Sequence, residues 1–230
     1  PDRPILLDGG MGRELRSRGV NILTAIWSAN GLIKAPDTVR QIHQDYISAG
    51  ADIIITNTYG IIRSNLAQEG LEDQFEELNV LACNLAKQAR QKSATSVLIA
   101  GSLPPLAGSY RPDLVGRFED IEPLYREQAD LLAPHVDLFL CETMSSAAEG
   151  RAAASAACLT GKPVWVAWTL HEDRSGKLRS GETIRAATEI LSDLAVSGYL
   201  VNCCAPESIT QALPQLLKTG VAYFGGYANT

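Results

Sequence analysis

The chain has 230 residues, 46% of them apolar and 20% charged, with a mean hydropathy near zero. That balance fits a folded protein with a full core and excludes a disordered or fibrous one. Twenty lysines and arginines against 26 aspartates and glutamates leave a net charge of −6 and no basic cluster able to neutralise a run of phosphates, so nucleic acid is not an expected partner.

Short apolar runs, each followed by a longer helix-patterned segment, set the rhythm of the chain. ILLD (5 to 8) opens it and passes into the glycine-rich DGGMGREL. Pro36-Asp37 starts a helix through PDTVRQIHQDYISAG, where Val39, Ile42, Tyr46 and Ile47 recur at helical spacing and Gly50 closes it. DIIIT (52 to 56) then leads to the helical LEDQFEELNVLACNLAKQARQ, and VLIAG (97 to 101) to EDIEPLYREQADLLAP. DLFLCE (137 to 142) precedes the helical SAAEGRAAASAAC, which Thr143, Ser145 or Ser146 can cap. VWVAWT (164 to 169), YLVNC (199 to 203) and VAYFGGY (221 to 227) complete seven candidate strands, with helices ETIRAATEILSDLAVSG and PESITQALPQLLKTG between them. The runs are apolar nearly throughout, so burial on both faces is expected, as in a parallel sheet flanked by helices. No linker or internal repeat interrupts this alternation, and one domain over 1 to 230 is the simpler expectation.

A doubly wound sheet and a (β/α)8 barrel share this rhythm. Polar residues separate them: Asp8, Thr56-Asn57, Ser102, Cys141-Glu142, Thr169 and Asn202-Cys203 each fall at the C-terminal end of a different run. A doubly wound fold would gather its chemistry at one switch point, whereas a barrel spreads it around a ring of strand ends. The expected fold class is therefore α/β, a (β/α)8 TIM barrel with about seven of its eight strands present. No segment approaches the roughly 20 apolar residues that span a bilayer, and PDRPILLDGG lacks a basic stretch leading into an apolar signal core. No membrane association is expected, and the cytoplasm is the default location. Five cysteines, Cys83, Cys141, Cys158, Cys203 and Cys204, are too few and too odd in number for a disulfide framework, and read as reduced thiols.

Several motifs narrow the chemistry. DGGMGREL is not a dinucleotide fingerprint, because Leu15 stands where the third glycine belongs and Asp8 would set a carboxylate against a pyrophosphate. Gly9, Gly10 and Gly12 either only permit a tight turn or let the backbone approach a small ligand whose ammonium group Asp8 binds. Glu142 at a strand end needs a partner or a ligand. Cys141, one residue earlier, points the other way and reads as a packed thiol. The three histidines, His43, His135 and His171, fit no nucleophile or metal motif and read as surface residues. No lysine lies at a strand's C-terminal end, which disfavours a Schiff-base aldolase. Cys203, by contrast, ends a strand among these polar residues, while an isolated buried cysteine is usually only a small hydrophobe.

In order along the chain, LLDGGMGRELRSRG, the block IWSANGLIKAPDTVRQIHQDYISAGADIIITNTYG, GSLPPLAGSYRPD, LFLCETMSSAAEGRAA and VNCCAP resemble the homocysteine S-methyltransferase family, and GSLPPLAGSYRPD is closer to its S-methylmethionine-type branch than to the betaine type. The resemblance implies a single homocysteine-binding (β/α)8 barrel and a Zn2+ ion held by three cysteines. The first of these matches Cys203. The other two, a G-G-C-C pair on the eighth strand, are expected beyond Thr230, so the eighth βα unit is expected to be absent from this stretch. Cys204 cannot replace them, because adjacent strand residues face opposite ways. The resemblance further implies that Asp8 and Glu142 meet the amino acid's ammonium group, and that Gly9, Trp27, Thr56, Asn57, Thr58 and Asn202 line the pocket. The implied reaction moves a methyl group from a sulfonium donor, S-methylmethionine or S-adenosylmethionine, to the thiolate of L-homocysteine, with no catalytic residue beyond the metal site. Small-molecule substrates are then the expected partners. A different barrel lyase or isomerase, or a metal-free barrel used for binding or regulation, is the alternative.

Overall fold

A computed structural model describes residues 3 to 229. The chain divides into two compact units, the first made of Pro1–Ser102 and Leu131–Leu138, the second of Leu103–Asp130 and Phe139–Thr230.

The first unit runs through α1 (Met11–Ser17), α2 (Asn30–Lys34), α3 (Pro36–Ser48), β1 (Ile53–Ile55), α4 (Arg63–Gln68), α5 (Phe75–Gln91) and β2 (Leu98–Leu103). Pro36 takes the first helical position of α3, where its missing N–H costs nothing. Val39, Ile42 and Ile47 of α3 and Leu78, Ala82 and Leu85 of α5 recur at helical spacing and are buried, joining Leu15, Ile26, Leu32 and Leu66 in this unit's core. β1 and β2 pair in parallel from Ile53↔Leu98 to Ile55↔Ala100.

The expected first strand is reduced to one parallel bridge, Leu7↔Ile53, so the described residues hold six strands and not seven. The cause is local. Pro4 has no N–H for a ladder, Leu6 N donates to the Asp52 side chain at 2.9 Å in place of a carbonyl, and Gly9-Gly10 turn the chain into α1 directly after the bridge. The Asp52 carboxylate that takes this bond also holds Arg3 at 2.6 Å.

The second unit contains most of α6 (Phe118–Leu132), then β3 (Leu138–Met144), α7 (Ala147–Cys158), β4 (Val164–Trp168), α8 (Ile184–Glu189), β5 (Val196–Asn202), α9 (Pro206–Leu217) and β6 (Tyr223–Tyr227). β3, β4, β5 and β6 form a parallel ladder in chain order. Every residue of β3 and β4 is buried, as their unbroken apolar runs predict. β6 departs from that expectation, with Tyr223 38% and Phe224 43% exposed, because among the described residues it pairs only with β5. Ser146 caps α7 by accepting from Glu149 N, and the Glu149 carboxylate reaches back to Ser145 N at 2.7 Å. The alanine-rich face of α7 lies close on β4: a Cβ added at Gly150 would stand 2.8 Å from the Trp168 indole nitrogen.

Candidate functional site

The C-terminal ends of β3, β4 and β5 in the second unit converge on one residue, Cys203. The β3–β4 register shifts between Cys141 and Met144, and Thr143 inside that shift has φ +62°. For a β-branched residue this is an outlier of the kind that is retained where a bulge re-aims a side chain. Asn202, fully buried at the end of β5, accepts from Thr143 N at 3.0 Å and donates through Nδ2 to Thr143 Oγ1 at 2.9 Å. Strands two apart in a sheet lie near 10 Å from each other, so this contact requires the ladder to curl over the end of β4.

Cys203 follows at φ +52°, a second strained position beside the first. Its backbone is pinned on both sides, N–H donating to Tyr227 O at 3.0 Å and carbonyl accepting from Thr169 Oγ1 at 3.2 Å. Its sulfur accepts from Asn202 Nδ2 at 3.3 Å and Thr143 Oγ1 at 3.5 Å, and the nearby Tyr110 hydroxyl favours its thiolate form. Burial pushes this thiol up to about 11, and the negative charge of Glu142 adds to the rise, while the Thr143 and Tyr110 donors pull against it. Protein alone therefore keeps Cys203 protonated at neutral pH, although its surroundings offer donors suited to a thiolate. Cys204 is 5% exposed and Cys141 fully buried, both raised chiefly by burial, as expected of packed thiols.

Glu142 is 8% exposed, and Tyr227 on β6 donates its hydroxyl to Glu142 Oε2 at 2.7 Å. Beyond Tyr110, the Arg179 guanidinium stacks over the ring at 4.6 Å, and Asn229 Nδ2 donates to the phenol oxygen at 3.4 Å. Tyr110, Arg179 and Tyr227 were not singled out from the sequence. SYRPD, RSGE and FGGY carry no spacing that marks these side chains, and only their tertiary neighbours reveal them.

In the first unit, Asp8 lies just after the Leu7 bridge, its Oδ2 accepting from Ile55 N at 2.9 Å. His43 corrects its expected surface position: it is fully buried on α3, with Nδ1 4.0 Å from Asp8 Oδ2, and burial pushes it down to about 4, so it is neutral. The core-facing spacing of α3 includes residue 43, a signal that its polar ring masked. Gly9 lies tight against Tyr46, since a Cβ would stand 2.7 Å from the Tyr46 hydroxyl and the ring would have to shift. Thr56 and Thr58 hydroxyls bond each other at 2.9 Å, Thr58 donates to Ser102 O and Ser102 N donates to Thr56, while Asn57 exchanges bonds with Ser28. These three are buried and tie the loop after β1 to β2 and to the residues ahead of α2. Trp27 is 43% exposed at φ +46° and packs edge-on against Tyr59 at 5.9 Å.

The model of the homocysteine S-methyltransferase family matches residues 5 to 230. The chain belongs to that family. An Escherichia coli homocysteine S-methyltransferase is 33% identical to this family member over 98% of the chain and 77% of its own length. Homocysteine S-methyltransferase 4 of Zea mays is 29% identical over 89% of the chain and 66% of its own length. The crystal structure of the E. coli homocysteine methyltransferase MmuM in its metallated form superposes with a TM-score of 0.85, at 29% identity, over 99% of this chain and 93% of that one.

A metal in this homocysteine S-methyltransferase family member would need a ligand set. Among the described residues, no three His, Cys, Asp or Glu side chains gather closely enough to hold one. Cys203 by itself fits a single thiolate ligand, because Asn202 and Thr143 already donate to its sulfur. A three-cysteine set is not composed of the described residues. Among them, no helix is long and apolar enough to cross a membrane.

Proposed function

We propose that this protein transfers a methyl group from a sulfonium donor, S-methylmethionine or S-adenosylmethionine, to the thiolate of L-homocysteine, releasing methionine. The observation that carries this reading is Cys203, a thiol at the end of β5 whose sulfur accepts hydrogen bonds from Asn202 and Thr143 on a backbone strained to aim it. Family membership supports the reaction class, and the hydrogen-bond donors around Cys203 support its role in it. The family's (β/α)8 barrel as a single homocysteine-binding domain is the architecture that accompanies this reading.

Zinc is the proposed metal, with Cys203 as this chain's ligand; when bound, it supplies the Lewis acidity that deprotonates an acceptor thiol at neutral pH. The protein's own residues orient and select. Asn202 and Thr143 hold the Cys203 sulfur in one direction, the Tyr227 hydroxyl holds one oxygen of Glu142, and the Glu142 carboxylate is assigned to the substrate's ammonium group. Asp8 is assigned the same ammonium-binding role, with Gly9, Trp27, Thr56, Asn57, Thr58 and Asn202 as further substrate-binding residues. In the transfer, the acceptor thiolate's electron pair forms the new S–CH3 bond, and the donor's S–CH3 pair returns to its sulfur, leaving a neutral thioether. Positioning is the main demand of such an in-line displacement.

The test is Cys203→Ala against Cys204→Ala in the full-length protein. The first is expected to lose bound metal, read by elemental analysis, together with methionine formation. The second is expected to keep both and to lose only packing stability, on the order of 1 kcal/mol. Stoichiometric zinc and full activity in Cys203→Ala would sink the assignment.

A further inference from the structure

Arg179 is the cation of the Cys203 neighbourhood that the methyl-transfer reading leaves without a task. It sits in the outward loop after β4, where isolated bridges Leu170↔Leu178 and Lys177↔Thr183 fold residues 170 to 183 into a narrow ribbon. The backbone under it is anchored: Arg179 N donates to Thr169 O at 3.3 Å and Ser180 N to Ser145 O at 3.0 Å, so the loop is tied to the ends of β3 and β4. The side chain is 14% exposed, and its guanidinium lies flat over Tyr110 at 4.6 Å from the ring centroid. Tyr110 is itself held at φ +65°, and its hydroxyl lies close enough to Cys203 to favour the thiolate. One tyrosine ring therefore separates a fixed guanidinium from the thiol.

The guanidinium's hydrogen bonding is incomplete. Arginine has five N–H donors in a planar fork suited to a carboxylate. Here Nη1 meets Glu172 Oε1 at 3.0 Å, but Glu172 is 82% exposed, which makes that pair a weak and replaceable one. Nε is buried and has no hydrogen-bond partner. A buried charged donor without a partner is costly and points to a ligand that completes it.

We propose that Arg179 anchors the carboxylate of an amino-acid sulfonium donor, with Tyr110 as the spacer that directs the donor's sulfonium end toward the Cys203 side. This rests on the methyl-transfer reading and names the donor class within it: sulfonium compounds that carry a carboxylate, as opposed to bare alkyl sulfonium ions. The donor, and not the acceptor, is the assigned ligand because of where the groups lie. Asn202 and Thr143, which hold the thiol, are fully buried, whereas Tyr110 is 37% exposed and Arg179 leads out to the exposed Glu172, along the side from which a second substrate arrives. The ion pair with the carboxylate also offsets the repulsion between the guanidinium and the sulfonium charge.

The experiment compares S-methylmethionine with its carboxamide as donors for the full-length wild type, Arg179→Met and Arg179→Lys, with methionine formation read at varied donor and varied homocysteine. Wild type is expected to prefer the carboxylate donor by about 10- to 100-fold in kcat/KM, the range of a charge-assisted bidentate contact. Arg179→Met is expected to lose that preference through a raised donor KM, with the homocysteine KM unchanged, and Arg179→Lys to keep part of it. An equal loss with both donors would assign Arg179 a structural role and overturn the proposal, as would a rise confined to the homocysteine KM. A wild type that forms no methionine from any sulfonium donor overturns the methyl-transfer reading itself, an outcome separate from both.

Discussion

Replacing Tyr227 by phenylalanine removes one hydroxyl, and with it a bond that orients Glu142. The bond is 2.7 Å long to a carboxylate only 8% exposed, so solvent screening discounts it little. Hydrogen bonds to charged groups contribute about 1.5 to 3 kcal/mol net, which converts to about 10- to 150-fold in the equilibrium that depends on them. If Glu142 faces the acceptor's ammonium group, that factor is expected in the homocysteine KM. The aromatic ring stays in place on β6, so stability should change far less than binding. The assay is steady-state methionine formation at saturating donor with homocysteine varied, alongside a thermal melt of the same protein. A homocysteine KM within two-fold of wild type, with the melting temperature also unmoved, would refute the claim that Tyr227 positions Glu142 for substrate.

Two stability predictions test the Asp8 side of the chain. His43 is buried and pushed from 6.5 down to about 4, so the unfolded chain binds its proton first as pH falls. Its contribution is complete above pH 6.5 and is lost between 6.5 and 4, a swing of about 3 kcal/mol; urea unfolding at pH 7.5 and pH 5 should show that slope, and His43→Leu should flatten it. An unchanged slope in His43→Leu would mean that other groups cause the acid sensitivity. Gly9→Ala should cost about 1 to 3 kcal/mol because the new Cβ would lie 2.7 Å from the Tyr46 hydroxyl and 2.9 Å from its ring carbons. Tyr46→Leu in the same chain should recover part of that loss in denaturant melts, and no recovery would place the strain elsewhere.

Much of the secondary structure is legible in the chain because its signals are local. The runs that become β1 to β6 are apolar without alternation, Pro36 and Pro206 stand at helix starts, and Ser146 and Glu149 form a cap three residues apart. The exceptions are failures of context. ILLD reads as a strand by composition, yet Asp52 takes the Leu6 N–H that a ladder would use. His43 reads as a surface polar residue, yet it occupies a core position of α3 beside Asp8. VAYFGGY reads as a buried strand, yet Phe224 lies open on an edge.

The candidate site divides along the same line. That Glu142 and Cys203 fall near the C-terminal ends of strands is legible in the sequence, where an apolar run meets a polar residue and a helix signal, although β3 runs two residues past Glu142 to Met144. That Thr143 and Asn202, 59 residues apart, exchange bonds around one sulfur does not follow from the sequence. That pairing depends on the curl of the β3–β4–β5 ladder, on the register shift in β3 and on two residues held at positive φ. Tyr110, Arg179 and Tyr227 depend on it equally, because each acts through a neighbour brought to it by folding. Local periodicity determined where the chemistry-bearing residues fall along the chain, and only the tertiary structure decided which of them meet, since hydrogen bonds act over about 3 Å while the residues that make them are separated by dozens of positions in sequence.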